Sequence, residues 1–193
     1  AINTVSNKGL NDQTPPTNFV EVERLSSAIV DTQNRRPLRT TVTKDIFYVG
    51  GGNTKSMLAV WRDWGLDKLL YNAYKKGAIL SGVSAGAICW FEQGITDSWK
   101  EHQAIIPCLG FVKGTCCPHY DEEPERIPFV KKILEGNEID ECIAIEGFCA
   151  LHLIDDLPAY SVSFGNGNNC FLVNRKKSII KHNKLKNIEE IQL

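Results

Sequence analysis

Ala78-Ile-Leu-Ser-Gly-Val-Ser-Ala-Gly-Ala-Ile-Cys-Trp-Phe91 decides the fold. The apolar, β-prone run Ala78 to Val83 reads as a buried strand. Ser84 to Phe91 then turns straight into a helix, so strand and helix meet at Gly82-Val-Ser-Ala-Gly86, a GxSxG pattern. That pattern has a steric reason. A serine on a sharp strand-to-helix turn adopts a strained backbone, and small neighbours let the turn pack while the hydroxyl stays exposed. The Ala85 amide lies at the helix N-terminus, where it can stabilise a developing oxyanion. The competing reading is a glycine-rich turn with a capping serine.

Upstream, Asp45 to Val49 is a second short strand, closed by Gly50-Gly-Gly52. Three glycines let backbone amides face a cleft without side-chain obstruction. The loop Gly51, Gly52, Asn53 is a candidate second oxyanion donor and substrate-binding segment. It lacks the lysine spacing of a phosphate-binding loop. From Lys55 to Lys76 apolar residues recur at helical spacing. Gly65 breaks the stretch into two helices and Gly77 ends it. Strand, helix, strand, helix at this spacing predicts right-handed crossovers and a parallel sheet. Further on, Phe129 to Leu134 reads as a helix. Glu141 to Ile145, Ala150 to Ile154, Ala159 to Phe164 and Cys170 to Asn174 read as strands. Before Lys44 the pattern is weak: a short helix over Val20 to Val30, a loop over Asn34 to Arg39, and no clear first strand. The expected architecture is a three-layer α/β fold, a mostly parallel sheet with helices on both faces, its N-terminal unit shortened. The 193 residues fit one domain.

A serine hydroxyl needs a base, usually histidine. Of the four histidines, His182 reads as surface, His102 as loop, and His152 as a satisfied core residue. His119 follows a stiffening proline in Cys117-Pro-His-Tyr-Asp121 and is the favoured base. The acid that would orient it comes from Asp97, Asp121, Glu146, Asp155 or Asp156. Glu146 is favoured because it follows a strand and precedes Gly147, on the rim of the nucleophile, with Asp97 as runner-up.

Composition narrows the partners. Hydrophobic residues make up 42% and the net charge is −1. Such a charge gives no support for a nucleic-acid partner, and no apolar run is long enough for a bilayer. The seven cysteines are odd in number and form no CxxC pairs. They suit neither a zinc site nor a disulfide framework, and reduced thiols in the cytoplasm are the simplest account.

Together the stretches Tyr48–Thr54, Gly82–Ser98, Cys117–Arg126 and Ile145–His152 resemble the peptidase E (α-aspartyl dipeptidase) family of serine peptidases, near a shorter branch of it. The order and spacing match over Asp45 to Val173, while residues 1–44 match poorly. The resemblance implies a glutamine-amidotransferase-like α/β fold and a Ser–His–Glu triad at Ser84, His119 and Glu146. It also implies an oxyanion hole from Gly51, Gly52 and Ala85, and a functionally sensitive acid at Asp97. The expected partner is a small peptide, including dipeptides with an N-terminal aspartate, for which Arg126 and Arg175 are candidate cations. No metal or cofactor is required, and a homodimer is allowed. Two alternatives stand beside this: a thiol enzyme using Cys117 or Cys89, and a non-catalytic small-ligand-binding or regulatory module on the same fold.

Overall fold

The strand that carries the serine lies beside the strand that carries the triple glycine. In the computed structural model, which describes residues 2–6, 30–31, 36–37, 44–99, 102–164, 167–176 and 178–188, β4 (Ile46–Val49) pairs in parallel with β5 (Ile79–Val83), Val49 opposite Gly82. Helices α1 (Thr54–Trp64) and α2 (Leu66–Lys75) connect them. Asn53 starts α1 by accepting the Ser56 N–H at 2.9 Å, which satisfies one of the orphan donors of the first turn. Gly65 separates the helices at φ 70°, a left-handed conformation that glycine adopts without a Cβ penalty. Leu58, Trp61, Leu66, Leu70, Ala73 and Tyr74 form the buried stripe of this pair, as the helical spacing predicts.

After Ser84 the helix α3 is only Ala85–Ile88, shorter than the run to Phe91 that the sequence suggests. The last helical bond is Cys89 N–H to the Ala85 carbonyl at 3.1 Å. The chain then becomes β6 (Phe91–Trp99), which packs back over the turn so closely that a Cβ at Gly94 would lie 2.8 Å from Ile88 Cδ1. β7 (His102–Pro107), β8 (Val112–Cys117), α4 (Arg126–Glu135), β9 (Glu141–Ile145) and β10 (Cys149–Ile154) follow. β11 (Leu157–Ser163), β12 (Cys170–Lys176), β13 (Ile179–Lys184) and β14 (Asn187–Ile188) complete this part of the chain. Near the start lie β1 (Ile2–Ser6), β2 (Val30–Asp31) and β3 (Arg36–Pro37).

These strands make two six-stranded sheets, β14-β11-β10-β1-β5-β4 and β13-β12-β9-β8-β6-β7, and a ribbon of β2 and β3. The architecture corrects the expected three-layer, mostly parallel α/β fold with helices on both faces. Both sheets are mixed: β4–β5, β1–β10, β11–β14, β6–β8 and β8–β9 are parallel, and the remaining pairs are antiparallel. Four helices occur among the described residues. The reason lies in the connections. The link from β6 to its parallel neighbour β8 runs through the antiparallel strand β7, so that crossover puts no helix on a sheet face. A first strand, absent from the sequence reading, is present: β1 sits between β10 and β5. Arg36–Pro37, expected as loop, pairs with Val30–Asp31. The helix expected over Val20–Val30 lies outside the described residues except for Val30.

One apolar cluster joins the two sheets, with Leu80 and Leu151 from the first and Cys116, Ile143 and Cys170 from the second. Trp61 and Trp90 meet in it at 6.2 Å, and Tyr74 stacks on Phe111 at 6.0 Å. The chain passes between sheets after β5, β9, β11 and β13. The first three crossings carry Ser84, Glu146 and Asn169.

A Cβ at Gly86 would overlap the Val49 carbonyl, whereas one at Gly50 would meet nothing within 4 Å. Gly86→Ala is therefore expected to destabilise the fold by about 2 kcal/mol or more, with Gly50→Ala near neutral. Urea unfolding of both variants measures the difference.

Candidate active site

Ser84 has φ 57° and ψ −118°, a backbone state that an L residue holds only when its surroundings impose it. They do. Ala87 and Ile88 donate their N–H groups to the Ser84 carbonyl at 2.9 and 3.1 Å. A Cβ at Gly82 would collide with the backbone of Gly86 and with the Val49 carbonyl, and one at Gly86 with Val49. Only glycine lets β4 and the elbow approach this closely. The Gly50–Gly52 loop lies against the serine: a Cβ on Gly51 would be 3.2 Å from Ser84 Cβ and 3.6 Å from Ser84 Oγ. Among the described residues the amides of Gly51, Gly52 and Ala85 meet no acceptor. Unspent donors beside a hydroxyl are what an oxyanion requires.

Asn53 has a structural task. Its side chain caps α1 and donates to the Ser98 carbonyl at 3.0 Å. Ser98 Oγ in turn accepts the Lys55 N–H at 3.3 Å and pairs with Thr96 Oγ1 at 2.8 Å. The start of α1 is thus pinned to β6. Asp97, on the same strand, has an exposed carboxylate 3.8 Å from Arg126 Nη2. Arg126 is buried, donating to Glu123 and to the Ile95 carbonyl at 2.7 Å each. Arg175 donates to the Glu135 carbonyl at 2.6 Å. Both arginines named as candidate cations are therefore committed to the fold.

His119 also has a positive φ, 52°. It follows β8, and the next residue, Tyr120, donates its N–H to the Ile145 carbonyl at 3.0 Å. His119 and Glu146 are thereby brought to neighbouring strand ends. The His119 Nδ1 is 2.6 Å from Glu122 Oε2. Glu146 Oε2 accepts the Asn169 N–H at 2.7 Å, and the Glu146 N–H returns to the Asn169 carbonyl at 3.2 Å. Asp121 holds the Gly147 N–H at 2.7 Å and Asn168 Nδ2 at 2.9 Å. Among the described residues Ser84 Oγ has no hydrogen-bond partner, and no ion pair joins His119 to Glu146. Sequence reasoning did not single out Glu122 or Asn169, and named Gly147 only as the neighbour of Glu146. The three-residue step from His119 to Glu122 in a turn-rich segment was the available signal for the first.

The other histidines are engaged elsewhere or lie at a strand start. His152 Nδ1 meets Tyr160 Oη at 2.5 Å, and burial lowers its pKa, the behaviour of a satisfied core residue. His182 Nε2 meets Tyr120 Oη at 2.7 Å, and His102 opens β7 exposed. Asp155 and Asp156 form the β10–β11 turn. The thiols are poor nucleophile candidates. All seven are buried thiols, none of them in a disulfide. Burial pushes Cys117 up to about 12, against a smaller opposing pull from Arg126, and Cys89 is likewise raised by burial. Two surface hollows of about 470 and 410 Å³ are lined by neither Ser84 nor His119. Among the described residues no helix is long and apolar enough to cross a membrane.

The sequence model of Peptidase family S51 matches residues 19–158. An uncharacterized peptidase, YgaJ, of Bacillus subtilis (strain 168) is 42% identical over 129 residues, covering 67% of this chain and 56% of the relative. The chain thus spans little more than half the length of that curated relative.

Two outcomes are expected from the thiols. With Cys117 near 12, about one part in ten thousand is thiolate at pH 8. Iodoacetamide should therefore leave Cys117 unmodified in the native chain and alkylate it after unfolding, as mass spectrometry would read. Stability should also fall as pH rises above 9. There the unfolded chain loses thiol protons that folded Cys108 and Cys117, both pushed up to about 12, retain. Thermal melts at pH 8 and pH 10 check the sign.

Proposed function

The chain belongs to peptidase family S51, and from that premise we propose that it is a serine peptidase hydrolysing small peptides through an acyl-enzyme on Ser84. The observation that carries this proposal is the strained Ser84 backbone with the Gly51 turn against its side chain, and the amides of Gly51, Gly52 and Ala85 meeting no acceptor among the described residues. A merely structural serine in a glycine turn has no need of either feature.

In the proposed mechanism His119 takes the Ser84 proton as Oγ attacks the peptide carbonyl. The oxyanion sits between the Ala85 amide and the Gly51–Gly52 amides. His119 then protonates the leaving amine, and water repeats the sequence to free the acyl group. Glu146, fixed by the Asn169 N–H, is the acid that the family resemblance assigns to the triad, and here it adds negative charge at the strand end next to the His119 turn. Asp97, exposed on β6, faces the Arg126 that braces the His119 loop.

Within this class we propose dipeptides as substrates, on the family resemblance alone. An N-terminal aspartate would have to find its cation somewhere other than Arg126 or Arg175, because both are tied to backbone carbonyls. A panel of Asp-X and neutral dipeptides separates the subclasses. Ser84→Ala is expected to lower turnover of any cleaved dipeptide by roughly three to six orders of magnitude, with folding unchanged by circular dichroism. Hydrolysis at the wild-type rate in that variant would remove the proposal.

A further inference from the structure

Four carboxylates stand on the rim around His119, and three of them are occupied. Asp121 holds Gly147 N–H and Asn168 Nδ2, Glu123 holds Arg126 Nε at 2.7 Å, and Glu146 holds Asn169 N–H. The fourth, Glu122, is aimed at the imidazole, its Oε2 2.6 Å from Nδ1. We infer that Glu122 is the positioning residue that holds His119 in its productive orientation and tautomer, an inference that rests on the serine-peptidase proposal above.

The backbone builds this contact. His119 at φ 52° starts a turn, and the N–H groups of Glu122 and Glu123 both return to the His119 carbonyl at 3.2 Å. That curl brings residue 122 back over residue 119. From the other side the β9–β10 turn backs the carboxylate. A Cβ on Gly147 would lie 2.5 Å from Glu122 Cδ, so the absence of a side chain there is what lets Glu122 reach Nδ1. Gly147 is itself fixed by Asp121. Glu122 is thus seated between two turns that are bonded to each other.

The chemistry follows from which nitrogen carries the proton. A carboxylate at Nδ1 accepts the Nδ1–H, which leaves the Nε2 lone pair free for a serine proton. As Ser84 Oγ bonds to the carbonyl carbon, its proton passes to Nε2. The imidazolium remains paired with ionised Glu122, which takes no proton itself. Nε2–H then passes to the leaving nitrogen as the C–N bond breaks. In deacylation a water proton goes to Nε2 and on to Ser84 Oγ. Glu122 and Glu146 divide the work: one fixes ring and tautomer by contact, the other adds charge at the strand end.

The test uses a fluorophosphonate probe, which reads Ser84 activation without knowledge of the substrate. Wild type is expected to be labelled at Ser84, and Ser84→Ala to lose labelling. Glu122→Gln is expected to slow labelling about 100-fold, the scale of a disabled general base. It should also move the acidic limb of the labelling pH profile to lower pH, because one anion near the ring is gone. The other charges facing the ring region, Asp121, Glu123, Glu146, Arg126 and, through Tyr120, His182, stay in place. Gly147→Ala pushes aside only the end of a flexible, partly exposed side chain and should slow labelling in the same direction. Because both act through one contact, Gly147→Ala with Glu122→Gln should be no slower than the slower single variant. Glu125→Gln, an exposed carboxylate on the same loop without a capping bond, should match wild type. Labelling of Glu122→Gln within three-fold of wild type, or a larger loss in Glu146→Gln than in Glu122→Gln, overturns the inference while leaving the serine chemistry standing. Labelling that survives Ser84→Ala overturns the serine chemistry itself, and the inference with it. Should Glu122→Gln fail to fold, Gly147→Ala decides: a wild-type rate there overturns the role of Glu122, and a slowed rate with the acidic limb moved supports it.

Discussion

The rim depends on Ser84 being held at φ 57° and ψ −118°. Such a backbone costs on the order of 1–3 kcal/mol, and packing elsewhere must offset it. The offset is identifiable. Gly82 and Gly86 admit the Val49 carbonyl into the space a side chain would fill, and two amides of α3 close on the Ser84 carbonyl. Ile88, Trp90 and Phe91 are fully buried immediately downstream, so relaxing the serine would pull apolar side chains out of the core. Strain at one residue is therefore coupled to the stability of the whole β4–β5 region.

The remaining parts of the site are organised by the crossings between two sheets. Ser84 lies on the β5 to β6 crossing, Glu146 on that from β9 to β10, and Asn169 on that from β11 to β12. His119 leaves β8, the parallel neighbour of β9. Two of the crossings are bonded to each other and to the His119 turn: Glu146 to Asn169 in both directions, Asp121 to Gly147 and Asn168, Tyr120 N–H to Ile145. Polar side chains that sequence inspection names for the site also serve as ties: Asp121, a candidate acid, Asn53, a candidate substrate contact, and Arg126, a candidate cation.

Local pattern made the β4–α1–α2–β5 unit, the break at Gly65, the elbow at Ser84 and the strands β9 to β12 legible, because each has a short-range cause, while β6, β7, β8, β13 and β14 were not read. A left-handed glycine, an apolar period and a strand-turn-helix junction are all written within about ten residues. Sheet direction is not. Whether β12 lies parallel or antiparallel to β9 depends on connections that no local period encodes, and the mostly parallel three-layer expectation failed there. The helix α3 was read as running on to Phe91 because Cys89, Trp90 and Phe91 are apolar and fit either a helix or a buried strand. β1 was missed because Ile2–Ser6 is mostly polar. At the site, the strand-to-helix turn at Ser84 and the place of His119 just after a proline were legible from the motif. The His119–Glu122 contact was not, since it depends on the positive φ at His119 and on the bare α-carbon of Gly147, both visible only in three dimensions. The spacing argument favoured Glu146, whose Oε2 is taken up by Asn169.

The most direct measurement is a crystal structure of the chain phosphonylated on Ser84. The account predicts that Ser84 keeps its positive φ, and that a phosphonyl oxygen lies within hydrogen-bond distance of the Ala85 amide and of Gly51 or Gly52. An adduct whose oxygens meet only solvent, with Ser84 relaxed to an ordinary negative φ, would contradict it.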